Sequence, residues 1–340
     1  MAETTGIAWT KSTFNPWIGC TEVGPGCDPC YAREEDKRRR WGGATHWGPG
    51  VPRHRTTKVY WRQPFAWDRL AAQGITFAGR PGFWPVFGGS LMDPFDNDVP
   101  PVWRADYWDV IKATPHLTWQ LVSKRIGNAP DMLPKDWGER GYPNVWLISS
   151  ICNQKEADRD IPKLLRIPAK LHGISYEPAL EAVDFRPWIC SYGCPCGWGG
   201  QPLSYCNECG WRGGTAFYGE PCPGCKKTLE DYNACPKCDA HDGDGGDFGP
   251  NSTFLKWIIV GGESKQGGMQ ARPFDLNWAR KTAADCRDSR VPCFVKQFGS
   301  NPVDSALVVE GDSPSVRTKQ RAGADPREWP ADLRVQEFPA

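Results

Sequence analysis

The sequence predicts an α/β protein built on a parallel sheet and interrupted late in the chain by a cysteine-rich module. Short apolar, β-rich runs alternate with stretches of helical pattern, about 28 residues apart where nothing intervenes; this is the pattern of βαβ units. Each run stops abruptly at a small, polar or charged residue, and in such sheets chemistry gathers at the carboxyl ends of the strands. Eight cysteines also fall into four close pairs within residues 190–250.

The first feature in the chain is a loop. Cys20, Cys27 and Cys30 stand at the spacing C-x6-C-x2-C, among Gly24, Pro25, Gly26 and Pro29. Glycine and proline turn the backbone sharply, so three sulfurs from one short loop can converge. With no fourth ligand nearby, one coordination position stays open. On a cubane iron–sulfur cluster that leaves an iron free for a substrate or cofactor, since such clusters normally take four cysteines. On zinc it gives an open catalytic-type site, although those usually include histidine or carboxylate.

Tyr31–Trp41 reads as a helix, acidic near its start and basic near its end, as the helix dipole favours. Residues 31–62 hold nine Lys/Arg against three Asp/Glu. The segment reads either as a solvated face or as a phosphate-binding patch that includes Arg39, Arg40, Arg53 and Arg55.

Strands are then expected at Pro85–Phe87, before Gly88-Gly89-Ser90, and at Leu117–Val122, before Ser123-Lys124-Arg125. Others are expected at Val145–Ile148, before Ser149-Ser150, and at Leu171–Ile174, before Ser175-Tyr176-Glu177. The last two are Trp257–Val260, before Gly261-Gly262-Glu263, and Cys293–Val295, before Lys296. Helices are expected near 102–113, 154–166 and 276–289. Cys152, Cys286 and Cys293 lie in apolar surroundings and read as small core residues.

In the insert, Cys194 and Cys196 pair with Cys206 and Cys209, and Cys222 and Cys225 pair with Cys235 and Cys238. Nine residues separate the two pairs in each set. Four thiolates in two tight knuckles suit a closed tetrahedral site, which implies two zinc ions, with Cys190 a substitute ligand. Auxiliary iron–sulfur clusters are the alternative. The expected organisation is a barrel at 1–189 with its cysteine loop at 19–31, the zinc-ribbon-like insert at 190–250, the rest of the barrel at 251–300, and a tail at 301–340, irregular or docked on the barrel.

The totals narrow the class. Forty-one basic against forty acidic residues give a net charge of +1, so no global field points to nucleic acid or a lipid surface. No apolar run approaches the roughly 20 residues of a membrane-spanning helix, and Met1–Thr5 lacks the features of a signal peptide. A cytoplasmic protein without a membrane partner is expected. There, fifteen cysteines argue for metal or cluster ligation rather than disulfides.

The run Trp9-Thr10, Phe14-Asn15-Pro16-Trp17-Ile18-Gly19-Cys20 and Gly26-Cys27-Asp28-Pro29-Cys30-Tyr31-Ala32 resembles the phage-associated three-cysteine-motif proteins. Ile258–Ser264 and Phe294–Gly299 fit the same family, which is similar to outlying members of the radical S-adenosylmethionine (SAM) superfamily. The usual superfamily spacing is C-x3-C-x2-C with an aromatic before the last cysteine. Here the first gap is longer and Pro29 holds that place.

The resemblance implies a partial (β/α) TIM-like barrel of radical SAM type, with a [4Fe–4S] cluster on Cys20, Cys27 and Cys30 and SAM as cofactor. It implies reductive cleavage of SAM to a 5′-deoxyadenosyl radical and an electron-donating reductase as partner. Gly88, Gly89 and Ser90 stand where the superfamily receives the SAM amino group. Lys124 and Arg125 are candidates for the SAM carboxylate or a substrate phosphate, and Ser149 and Glu177 for the ribose hydroxyls. Glu263 and Lys296, with Glu177, are candidate catalytic residues that orient substrate or relay protons. Auxiliary-cluster domains in radical SAM relatives follow the barrel, whereas this insert interrupts it, which favours zinc. The phage association, the basic segment and the zinc knuckles point to a nucleic acid or nucleotide substrate. A non-catalytic zinc-containing module that binds nucleic acid or protein is the alternative.

Overall fold

The computed structural model describes residues 5–189, 254–307, 315–320 and 322–340, together with the backbone of short strands at 203–205, 212–213 and 233–234. Seven parallel strands form one curled sheet: β1 (Ser12–Phe14), β2 (Pro85–Gly88), β3 (Thr118–Ser123), β4 (Val145–Ile151), β5 (Leu171–Tyr176), β6 (Trp257–Gly261) and β7 (Cys293–Gln297). Their spatial order is their chain order, each strand pairing with the next. A doubly wound sheet reverses its strand order at a switch point. This sheet has no reversal and is a half-barrel.

Among the described residues five helices of nine or more residues lie between the strands, α1 (Tyr31–Arg39) and α2 (Gln63–Ala72) after β1, α3 (Pro101–Lys112) after β2, α4 (Gln154–Leu165) after β4 and α5 (Leu276–Asp288) after β6, and a single helical turn, Ala129–Met132, follows β3. Two of them begin at side-chain caps that the sequence supplies. Asn153 Oδ1 accepts from the Glu156 amide at 2.8 Å, and Asp275 Oδ1 from the Asn277 amide at 3.0 Å, satisfying amides that a helix start leaves unpaired. The six expected strands and the expected helices are present, most strands running one to three residues further. β1 and α2 were not anticipated: β1 has only three residues, too few to display a period, and α2 carries Pro64 in its first turn.

Successive side chains of a strand point to opposite faces, and here the two faces bury different cores. Val86, Leu121, Leu147, Ile174, Val260 and Val295 pack against the helices through Trp108, Ile111, Ile161, Leu164 and Ala279. Phe87, Trp146, Ile148, Leu171, Trp257, Ile259 and Phe294 form a second cluster with Trp9 on the concave face. Strands covered on both faces read as continuous apolar runs, which is why their sequences showed no alternation. Cys286 and Cys293 belong to the helix-side core, and Cys152 is equally buried.

The tail docks. Val295 N donates to Val335 O (2.8 Å), Glu337 N to Cys293 O (2.9 Å) and Trp257 Nε1 to Glu337 O (2.9 Å). This pairing covers the free edge of β7, which would otherwise present unpaired backbone groups. Phe338 rests on Phe77, Phe83, Trp257 and Phe294. Among the described residues no helix is long and apolar enough to cross a membrane.

Candidate functional site

The carboxyl ends of the strands carry a connected set of polar groups. On the concave face of β4 the residue after Ile148 is Ser150, and on β5 it is Ser175, which follows Gly173. Lys124, just past β3, donates from Nζ to Ser150 Oγ (2.7 Å). Ser175 Oγ donates to Glu177 Oε2 (3.2 Å), and Lys296 Nζ stands 2.8 Å from Glu177 Oε1. Lys124, Glu177 and Lys296, chosen from sequence, therefore lie at one mouth, joined by two serines.

Ser149 does not join them. It is fully buried on the helix side between Leu147 and Ile151, and its hydroxyl has no hydrogen-bond partner in the structure. Ser150 occupies the mouth position instead. Gly88 and Gly89 are explained by packing: a side chain on Gly88 would strike the Tyr107 hydroxyl and Leu121, and Gly89 sits at φ +131° against Met92, a backbone region glycine enters freely. Ser90 Oγ accepts from Asn15 Nδ2 (3.0 Å), and its carbonyl accepts from the Tyr31 hydroxyl.

The cysteine loop lies against this mouth. A side chain on Gly26 would meet Lys124 Cε at 3.2 Å and Cys152 Cβ and Pro178 Cδ at 3.7 Å, so the loop rests on the ends of β3, β4 and β5. Its short 3₁₀ turn, Pro25–Cys27, leads through Cys30 into α1. Arg125 donates from Nη2 to Thr21 O, and that nitrogen is 4.0 Å from Cys20 Sγ. Arg125 is thus committed to the loop.

All three thiols are free. Burial pushes the Cys20 thiol up, and the nearby Asp93 carboxylate adds to it while Arg125 opposes. Burial also pushes Cys30 up, against donation from the Arg33 amide and the charge of Lys124. Thiolates here need cationic compensation, which a metal or cluster supplies. Among the described residues no group of three or more His, Cys, Asp or Glu side chains stands ready-made as a metal site. The three free thiols share one loop without being gathered as such a group. The insert cysteines, Cys190 to Cys238, lie outside the described residues.

Two further groups complete the setting. Asp93, buried, accepts from Ser123 Oγ (2.7 Å), Lys124 N (3.0 Å) and Phe95 N (2.9 Å), and so fixes the turn that aims Lys124. Glu263 is buried and gripped by Arg272, whose Nη2 reaches Oε1 at 2.6 Å and whose Nε reaches Oε2 at 3.2 Å. Asp93 and Arg272 were not read from the sequence, because nothing local to either marks its partner. A cleft of about 380 Å³ opens beside the loop, lined by Thr21, Glu22, Arg33, Lys37 and Trp47.

Of the two readings of residues 31–62, the phosphate-binding patch loses Arg53, Arg55 and Arg39 to acidic partners, while Arg40 stays exposed. Arg53 is buried, 2.7 Å from Asp96 and 3.0 Å from Asp98, and is spent on holding the chain around Thr21, His46 and Gly48. Arg55 pairs with Asp106 and lies over the Trp61 ring at 4.7 Å. Arg39 pairs with Glu35. A basic count along the sequence is not a basic surface once acids fold back onto it.

One family model matches residues 4–329, under the description "Protein of unknown function (DUF5131)". No curated protein and no solved structure matches the chain.

Proposed function

The chain belongs to the DUF5131 family of proteins of unknown function, and for it we propose a radical SAM-type iron–sulfur enzyme acting on a nucleic acid or nucleotide. One observation carries the proposal. A loop with three free thiols rests across the carboxyl end of a singly wound parallel half-barrel, against Lys124 and against Pro178, the residue after Glu177. Cys20, Cys27 and Cys30 would hold a [4Fe–4S] cluster. When bound, the cluster and SAM would supply one-electron cleavage of the sulfonium bond to a 5′-deoxyadenosyl radical.

The chain's own residues do the rest. Lys124 has no carboxylate within ion-pair distance among the described residues, so its ammonium is the group at the mouth free to take an anion such as the SAM carboxylate. Ser150 and Ser175 offer hydroxyls on the lumen face for the sugar, the part expected of Ser149 and Glu177. Glu177, between Ser175 and Lys296, holds or passes a proton at Oε1. Glu263, expected to act on substrate, is instead committed to Arg272. Two zinc ions on the insert cysteines, and a reductase that delivers the electron, belong to the same proposal.

A second reading draws on the glycine turn. Gly88 and Gly89 are both required by packing alone, and the glutamate that follows them in the superfamily is absent. On that reading the protein is a non-catalytic, zinc-containing binding module. Anaerobic purification and reconstitution with iron and sulfide separate the two. The enzyme becomes brown with about four irons per chain, and yields 5′-deoxyadenosine with SAM and dithionite, assayed with and without DNA, tRNA or nucleotides. Cys20→Ala, Cys27→Ala and Cys30→Ala each lose iron but keep zinc. A colourless protein that carries zinc alone overturns the proposal.

A further inference from the structure

From the geometry we infer that Arg272, set by Glu263, is the latch that fixes the cysteine loop on the barrel mouth. Arg272 lies in the connection from β6 to α5, more than two hundred residues along the chain from the loop. Its guanidinium uses both edges. Nε and Nη2 meet the two Glu263 oxygens at 3.2 and 2.6 Å, while Nη1 donates to Pro25 O at 2.8 Å and stands 3.3 Å from Asp28 Oδ2. The Arg272 amide also donates to Glu263 Oε2 (2.9 Å), which ties backbone and side chain to one carboxylate.

The division of labour follows from burial. Glu263 is buried and its carboxylate is answered by Arg272, so the guanidinium plane is fixed before it reaches the loop. Bidentate pairing is the arrangement in which arginine carries direction as well as charge. What remains, Nη1, falls on one of the two carbonyls that close the turn: Pro25 O accepts from the Asp28 amide at 3.4 Å, and Gly24 O from the Cys27 amide at 2.9 Å. That turn is Pro25–Cys27, and it sets the directions of Cys27 and Cys30.

A second contact supports the same role. In the same connection Gly267, at φ +55°, packs so close to Glu34 of α1 that a side chain there would lie 3.0 Å from its carboxylate. The β6–α5 connection therefore braces both the cysteine turn and the helix it feeds. Arg272 touches neither the mouth serines nor a thiol, which makes it a positioning residue. The latch does not depend on which metal the thiols take.

The experiment uses the full-length protein, reduced and stripped of metal with a chelator. Alkylation by iodoacetamide is followed cysteine by cysteine by mass spectrometry. Arg272→Ala is expected to label Cys27 and Cys30 about ten- to a hundredfold faster than wild type, the factor that one lost charge-assisted hydrogen bond carries in an opening equilibrium. Cys286 and Cys293, in the helix-side core, keep their wild-type rates. Glu263→Gln, nearly isosteric, moves Cys27 and Cys30 in the same direction by less, and adding it to Arg272→Ala changes nothing more. After reconstitution, both variants release iron to a chelator faster than wild type.

Wild-type labelling of Cys27 in Arg272→Ala overturns the latch. So does a parallel rise at Cys286 and Cys293, since a latch acts locally. If Arg272→Ala does not fold, Glu263→Gln decides, and wild-type rates there overturn it. Because labelling is read without metal, failure of the latch and failure of the radical SAM reading give different results.

Discussion

At the amino end of the half-barrel the lumen-facing positions are Phe87, Trp146, Leu171, Trp257 and Phe294. Further along four of the same strands they are Ser150, Ser175, Gly261 and Lys296, the register between β6 and β7 shifting by one residue past Val260. The same strands thus present opposite side chains at their two ends. At the closed end the rings meet edge to face: Trp257 lies 5.6 Å from Trp146, 6.2 Å from Trp9 and 6.3 Å from Phe294, at interplanar angles of 74–82°. At the open end small residues leave room, and charged side chains pair across it. The closed end holds the packed rings, and the open end holds the polar groups to which the proposed function assigns the chemistry.

Variants at the two ends should therefore separate stability from activity. The largest loss of stability is expected for Trp257→Ala. Its ring is fully buried among four aromatics, and truncating such a residue costs about 3–5 kcal/mol. Urea titration followed by fluorescence measures this, and a loss below about 1 kcal/mol would mean that the aromatic cluster does not hold the barrel. At the mouth, Glu177→Gln keeps the side chain's volume and an oxygen for Ser175, and should cost less stability than Trp257→Ala. The same variant should lower 5′-deoxyadenosine formation about a hundredfold, in the range that proton-handling groups contribute. If it is destabilised as much as Trp257→Ala with product formation intact, the two ends do not divide the work.

The smallest effect concerns pH. His172, at the amino end of β5, is buried, and that burial holds its imidazole below the ordinary value of 6.5, against the Ile167 carbonyl 2.7 Å from Nε2. The unfolded chain binds a proton near its ordinary pKa, while the folded protein resists it. The stability this neutral ring contributes is therefore complete above that value and falls as pH drops through it toward the lower folded pKa. Between about pH 7 and pH 5 the urea midpoint should decline, and His172→Gln should flatten the decline. An identical slope in both proteins would assign it to other groups.

Much of the fold was legible because its signals are local. Val145–Ile148 or Trp257–Val260 are apolar runs bounded by small and charged residues, and burial on both faces allows little else. The polar mouth was legible where a charged residue follows an apolar strand, as at Lys124, Glu177 and Lys296. It was not legible where the partner is remote. Arg272 in an irregular connection shows nothing that points to Pro25, and Arg53 in a basic run shows nothing that points to Asp96.

The amino-acid sequence by itself determined the order of strands and helices, the late insertion with its paired cysteines, and the three-thiol loop. Each of these is written in spacing and in the periods that backbone geometry imposes. Tertiary structure alone decided which arginines are spent internally, because charge pairs form across distances in the chain that no local pattern encodes. It also decided between two adjacent serines. Side chains alternate across a strand with a period of two, so a shift of one residue moves every side chain to the other face. Only the register of β4 in the sheet sends Ser149 into the helix-side core and Ser150 to Lys124.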